Sequence, residues 1–141
     1  MGCDIHLHVE IKVGGEWLHY NHPDIDRDYG LFAQMAGVRN RDGIEPIAQP
    51  RGLPADATRT TQLDSQEREG DGHSHSWLSS LEVERLVAWY LTYPRATPNA
   101  WWNFADQFGW LFGNTLDGLH RCHREYPPWL EDYRLVFWFD N

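Results

Sequence analysis

The sequence predicts an α+β fold in which a small antiparallel sheet, built from an N-terminal hairpin and a C-terminal strand, packs against two or three helices. Three observations carry this. The opening "MGCDIHLHVE" alternates, with Ile5, Leu7, Val9 and Ile11 on one side and Asp4, His6, His8 and Glu10 on the other. The ending "YRLVFWF", Tyr133 to Phe139, is a near-continuous apolar run of β formers. Between them, "SLEVERLVAWYLT" carries apolar residues at helical spacing. At 141 residues the chain, 1–141, is read as a single domain.

The elements follow in order. Cys3 to Val13 reads as a strand, Gly14-Gly15 as a two-residue turn, and Glu16 to Tyr20 as the return strand. Asn21 to Asp28 is polar and turn-like. Asp28 to Ala36 reads as a helix, because Leu31, Phe32, Met35 and Ala36 share one helical face, and Gly37 is its stop. From Arg39 to Trp77 periodicity fades and Gly, Pro and charge dominate, which predicts a long central loop, of the kind that is functional or disordered. Ser79 to Thr92 reads as a helix with Ser79 and Glu82 at capping-box spacing and a stripe of Val83, Leu86, Val87 and Tyr90. Tyr93-Pro94 ends it. Thr97-Pro98 starts a further helix through Phe112, Gly113 stops it, and Leu116 to Arg124 forms a short last helix. The strand Tyr133 to Phe139 is expected beside the first.

Composition narrows the function classes. The formal net charge is −9, which disfavours a duplex nucleic-acid coat and leaves room for one small anion held by local arginines. No apolar run reaches the length of a membrane span, and the start lacks the pattern of a signal peptide. Two cysteines, Cys3 and Cys122, make no disulfide framework, so a cytosolic protein with free thiols is expected. Eight tryptophans are many for 141 residues; large rings can fill a core, but they also serve as stacking platforms or as anchors of a subunit contact in a homo-oligomer.

Four constellations could carry chemistry. The first is the polar face Asp4, His6, His8, Glu10. Imidazoles two residues apart on one strand face can converge on a divalent metal, the cofactor this pattern would take, or do acid–base work without one. As an alternative it is simply a solvated strand face. The second is "DGHSHSW", where His73, Ser74, His75, Ser76 and Trp77 precede the best helix. His73 and His75 suit metal binding or general acid–base catalysis, and the helix N-terminus suits a phosphate; the plain reading is a polar helix lead-in. The third is the loop with Arg39, Asn40, Arg41 and Arg51, whose guanidinium groups match phosphate geometry, with Gly52 permitting close backbone approach. The fourth is the aromatic run Trp101, Trp102, Phe104, Phe108, Trp110 and Phe112, too many rings for one core line; some would line a ligand pocket or a subunit contact, or the run is core with a few exposed rings. His120 and His123 share a helical face beside Cys122, a weaker metal or nucleophile pattern. There is no H-E-x-x-H and no Walker loop.

Together "MGCDIHLHVE", "DRDYGLFAQMAGVRN", "PRGLP" and "DGHSHSW" resemble a family of short, mostly uncharacterised bacteriophage proteins, and the ending "LVFWFDN" is similar too. The resemblance covers roughly the first half of the chain in order. It implies a viral protein in the cytoplasm of an infected bacterial host, and an anti-defence role is the context it suggests. In that context the chain is expected to cleave a nucleotide immune signal, such as a cyclic dinucleotide, as a phosphodiesterase. Catalysis would fall to His6, His8, His73 and His75, with or without a metal on them. Asp4, Arg39, Asn40, Arg51, Ser74, Ser76 and Trp77 would hold the ligand. Two alternatives use other chemistry. One is a sponge that sequesters a nucleotide such as a cyclic ADP-ribose derivative. The other is an inhibitor that binds a host protein through the acidic surface.

Overall fold

A computed structural model describes residues 2–92 and 128–140. The helices read over 97–112 and 116–124, the aromatic run of Trp101 to Phe112, and His120, Cys122 and His123 lie outside those residues. Four strands and three helices are described: β1 Asp4–Val13, β2 Glu16–Asn21, α1 Tyr29–Ala36, α2 Arg59–Glu67, β3 Gly72–Ser79, α3 Ser80–Thr92 and β4 Asp132–Asp140. The strands form one antiparallel sheet in the order β2-β1-β4-β3.

The hairpin and the closing strand form as expected. Gly14 and Gly15 adopt φ of 58° and 77°, the left-handed pair that a tight hairpin turn requires. β4 then pairs with β1 along its whole length, from Asp4 opposite Asp140 to Lys12 opposite Asp132. Alternation sends Ile5, Leu7, Val9 and Ile11 of β1 and Tyr133, Leu135, Phe137 and Phe139 of β4 into one core. Helices α1 and α3 cover that face with Leu31, Phe32, Met35, Val83, Leu86, Val87 and Tyr90. Burying side chains of this size stabilises by roughly 1.5–3 kcal/mol each before chain entropy is counted.

Local signals end these helices cleanly. Asp28 caps α1 by accepting from the Leu31 N–H at 3.1 Å, and Gly37 closes it at φ 72°. Ahead of α3, the Ser79 N–H donates to Glu82 Oε1 at 2.9 Å and the Glu82 N–H donates to Ser79 Oγ at 3.3 Å, a reciprocal capping box.

The structure corrects the expected central loop. The stretch from Arg39 to Trp77 contains all of α2 and most of β3. Nor is "DGHSHSW" a helix lead-in, because Gly72 to Ser79 is an edge strand paired with β4. The plain solvated-face reading of β1 also fails: His8 and Glu10 are buried, at 1% and 0% exposure. Helix α2 lies over the polar side of the sheet and covers them. The sheet is therefore enclosed on both sides, by apolar contacts on one and by polar contacts on the other.

Glu10 anchors that polar layer. Its Oε1 accepts from Arg134 Nε at 2.8 Å, directly across the β1–β4 pair. Its Oε2 accepts from the Thr58 N–H at 2.8 Å and Thr61 Oγ1 at 2.9 Å, at the start of α2. Arg134 continues to Asp56 Oδ1 at 2.8 Å and stacks on Trp17 at 4.0 Å. Burial pushes the Glu10 carboxyl up, but the hydrogen bonds from Thr58, Arg134 and Thr61 outweigh it and hold the group below its usual range.

Candidate functional site

Next to the Glu10 anchor, the same face carries a histidine cluster. His8 Nε2–H donates to Asp64 Oδ2 at 2.8 Å, and His8 Nδ1 lies 2.9 Å from His19 Nε2. A carboxylate cannot donate, so the neutral His8 ring carries its proton on Nε2 and accepts from His19 on Nδ1. Burial, with the neighbouring His22 and His19 against protonation, pushes the His8 pKa down to about 4 despite Asp64, so the ring is neutral near pH 7. His22 stacks on His8 with ring centres 4.1 Å apart. Burial lowers the pKa of His19 and His22 as well.

Asp64 stands at the centre. Arg68 Nε, at the residue that caps α2, donates to its Oδ1 at 2.9 Å from four positions on. Burial pushes the Asp64 carboxyl up, and the hydrogen bonds from His8 and Arg68 more than reverse this, so it stays ionised. On the adjacent position of β1, His6 Nε2 lies 2.6 Å from Asp140 Oδ2 of β4.

These groups open on a cleft of about 430 Å³ whose walls include Asp4, His6, His22, Asp24, Arg68 and Asp140. One ring nitrogen each from His6 and His22 and one oxygen of Asp64 all lie within 4.8 Å of one another. Two imidazoles and a carboxylate are a set that can coordinate a divalent metal. Below them Trp138 is fully buried, and the rings of His6, His8 and His75 stack on it at 5.8, 5.3 and 5.5 Å.

The residues expected from the sequence separate into groups. His6 lines the cleft, and His8 stands behind Asp64 as its hydrogen-bond donor. His73 and His75 do not share a face. Ser74 takes φ of 56° in a bulge between His73 and Ser76, which turns His75 onto Trp138 and leaves His73 beside Phe139 of the opposite core face. His75 instead lines a neighbouring hollow with Leu53, Ser65, Gln66 and Glu69. Ser74 Oγ is 3.0 Å from His73 Nδ1, and the buried Ser76 Oγ accepts from the Arg51 N–H at 3.3 Å.

The arginine loop is not a wall of the cleft. Arg51 stacks on Trp77 at 4.2 Å, donates to the Trp77 carbonyl at 3.0 Å, and pairs with Glu82 at 2.6 Å. Gly52 donates its N–H to the His75 carbonyl at 2.8 Å, which ties the loop to the β3 edge. Arg39 lies over Tyr29 at 5.6 Å, and Asn40 binds both backbone groups of Ile44, so this end of the loop belongs to a separate hollow against α1. Asp4 does reach the cleft wall, but its carboxylate is held by Arg27 at 2.7 and 3.1 Å.

Four cluster members escaped the sequence reading: His19, His22, Asp64 and Asp140. One signal was available. A two-residue turn at Gly14-Gly15 sets Val13 opposite Glu16 and therefore Glu10 opposite His19, on the face of His8. No protein-family model matches this chain, and neither does any curated protein or solved structure. Among the described residues no helix is long and apolar enough to cross a membrane.

Proposed function

We propose that this protein hydrolyses a phosphodiester bond of a small nucleotide signal, with the cleft beside His6 and His22 as the reacting site. The observation that carries the reading is the convergence of His6, His22 and Asp64 to within 4.8 Å, with both histidines in the wall of a solvent-open cleft. Asp4, Asp24, Asp64 and Asp140 give this region four carboxylates against two guanidinium groups, Arg27 on Asp4 and Arg68 on Asp64. Such a site repels an anionic ester unless a cation comes with it. A bound divalent ion would supply that charge, polarise a phosphoryl oxygen and lower the pKa of a water molecule. Arg68 on the rim would then contact the phosphate.

The same charge balance weighs against sequestration of a nucleotide without turnover. A sponge needs cationic grips, and Arg39 and Arg51 are engaged elsewhere. The setting is proposed on the resemblance of the four motifs alone: a bacteriophage protein acting in the cytoplasm of an infected bacterium, against a defence that signals through nucleotides.

The test is one chromatographic experiment. The protein is incubated with cyclic dinucleotides and cyclic ADP-ribose products in the presence of Mn²⁺ or Zn²⁺, with and without chelator, then denatured, and the nucleotides are profiled. A new product that His22→Ala reduces by at least about 100-fold supports the reading. Intact recovery of every nucleotide under all conditions overturns it for that substrate class.

A further inference from the structure

We propose that His6, His22 and Asp64 form a binding site for one divalent cation of the zinc, iron, nickel and copper class, in preference to magnesium or calcium. The proposal deepens the hydrolase reading and rests on the same cleft, but binding can be measured without any substrate.

Donor chemistry sets the class. Magnesium and calcium take oxygen ligands, whereas imidazole nitrogen suits zinc, iron, nickel and copper. Here two of the three converging groups are imidazoles. Atoms at most 4.8 Å apart leave a centre no more than about 2.8 Å from each, so side-chain shifts of under about 1 Å reach the 2.0–2.2 Å bonds of zinc.

The supporting contacts are those a metal site needs. Asp64 is held through both oxygens, by His8 Nε2 at 2.8 Å and Arg68 Nε at 2.9 Å, which fixes its carboxylate plane. His22 is oriented by its stack on His8, and His6 by its stack on Trp138. Asp140 Oδ2, 2.6 Å from His6 Nε2, further holds that ring in place. Access is provided as well. The side chain of His22 is 42% exposed, while those of His6 and Asp64 are 12% and 16% exposed, so the site is open on one side and closed behind.

Three separate elements supply the donors, and their positions are fixed independently of any ion. His6 sits on β1, His22 follows β2 directly, and Asp64 lies on α2, which Glu10 pins to the sheet through Thr58 and Thr61. The convergence therefore does not depend on a single flexible loop.

The experiment titrates chelator-treated full-length protein with Zn²⁺ against a chromogenic chelator, and with Co²⁺ followed by visible absorption. The expected result is one ion per chain, a Co²⁺ spectrum with nitrogen ligation, and no displacement by millimolar Mg²⁺ or Ca²⁺. His22→Ala and Asp64→Asn should each weaken binding at least tenfold, while His73→Ala leaves it unchanged. His22 is exposed enough for its variant to fold, which circular dichroism checks independently of Asp64→Asn. No stoichiometric binding, or binding that survives His22→Ala undiminished, overturns the proposal, the latter by revealing scattered surface histidines as the ligands. Binding without hydrolysis of any nucleotide leaves the metal site standing and removes the hydrolase reading. Chelator-resistant hydrolysis without binding does the reverse.

Discussion

His8 Nε2 lies 2.8 Å from Asp64 Oδ2, a contact that joins the central strand β1 to the helix lying over its polar face. His8 is 1% exposed and its pKa is pushed down to about 4 by burial from the ordinary 6.5. The unfolded chain therefore binds a proton that the native protein refuses. Because the folded value is the lower one, stability is full above pH 6.5 and is lost as pH falls towards 4. We expect the unfolding free energy from urea titrations to drop in this window by up to about 1.4 kcal/mol per pH unit from this residue. His8→Phe should flatten the slope whatever it does to the stability at pH 7. An unchanged slope would mean that His8 is protonated in the native state.

Arg134 and Glu10 form the other cross-layer contact, at 7% and 0% side-chain exposure. Removing one member of a buried pair strands the other charge, at a cost of about 3–5 kcal/mol. Arg134→Met should show that loss in urea denaturation. Adding Glu10→Gln to the same chain should recover part of it, because the uncompensated carboxylate is gone. A loss below about 1 kcal/mol for Arg134→Met would show that Thr58 and Thr61 alone satisfy Glu10.

The bulge at Ser74 separates the two histidines of "HSH" and predicts different phenotypes for them. His73→Ala should keep nucleotide turnover within about twofold, whereas His6→Ala and His22→Ala should lose at least about 100-fold in kcat/KM. Arg51→Ala belongs with His73→Ala, since its partners are Trp77 and Glu82. Equal losses in all four variants, measured on folded protein, would place the reacting site elsewhere.

Gly14 and Gly15 have open space around them, so a methyl group there meets only backbone strain. Gly14→Ala and Gly15→Ala should each cost on the order of 1 kcal/mol. Thermal melts of the two variants check this, and a larger loss would indicate that the hairpin register had moved.

What could be read in advance follows from where the information lies. The hairpin, α1, the capped helix α3 and the strand Asp132–Asp140 carry their signals locally, in turn glycines, caps and apolar spacing. Helix α2, "RTTQLDSQE", has Thr61 as its one buried residue, so no apolar stripe announced it. Its place is set by hydrogen bonds to Glu10 and His8, which periodicity cannot see. Strand β3 was hidden for a different reason: the bulge at Ser74 breaks the period of two. The cleft was half legible. His6 and His8 stood out as a pair, but Asp64 and Asp140 are single acids in polar surroundings, and only tertiary pairing gives them meaning.

The pairing of Asp4 with Asp140 makes β1 and β4 the two inner strands, although they come from opposite ends of the described chain. Its consequence is kinetic. The hairpin and α1 need only neighbours, but β1 cannot gain its second partner until almost all of the sequence has been threaded into place, at a large loop-closure cost. Folding should thus be slow for a chain of this length. The wall containing Asp140 should be assembled last, so a nascent chain would acquire its cleft only as the closing strand docks.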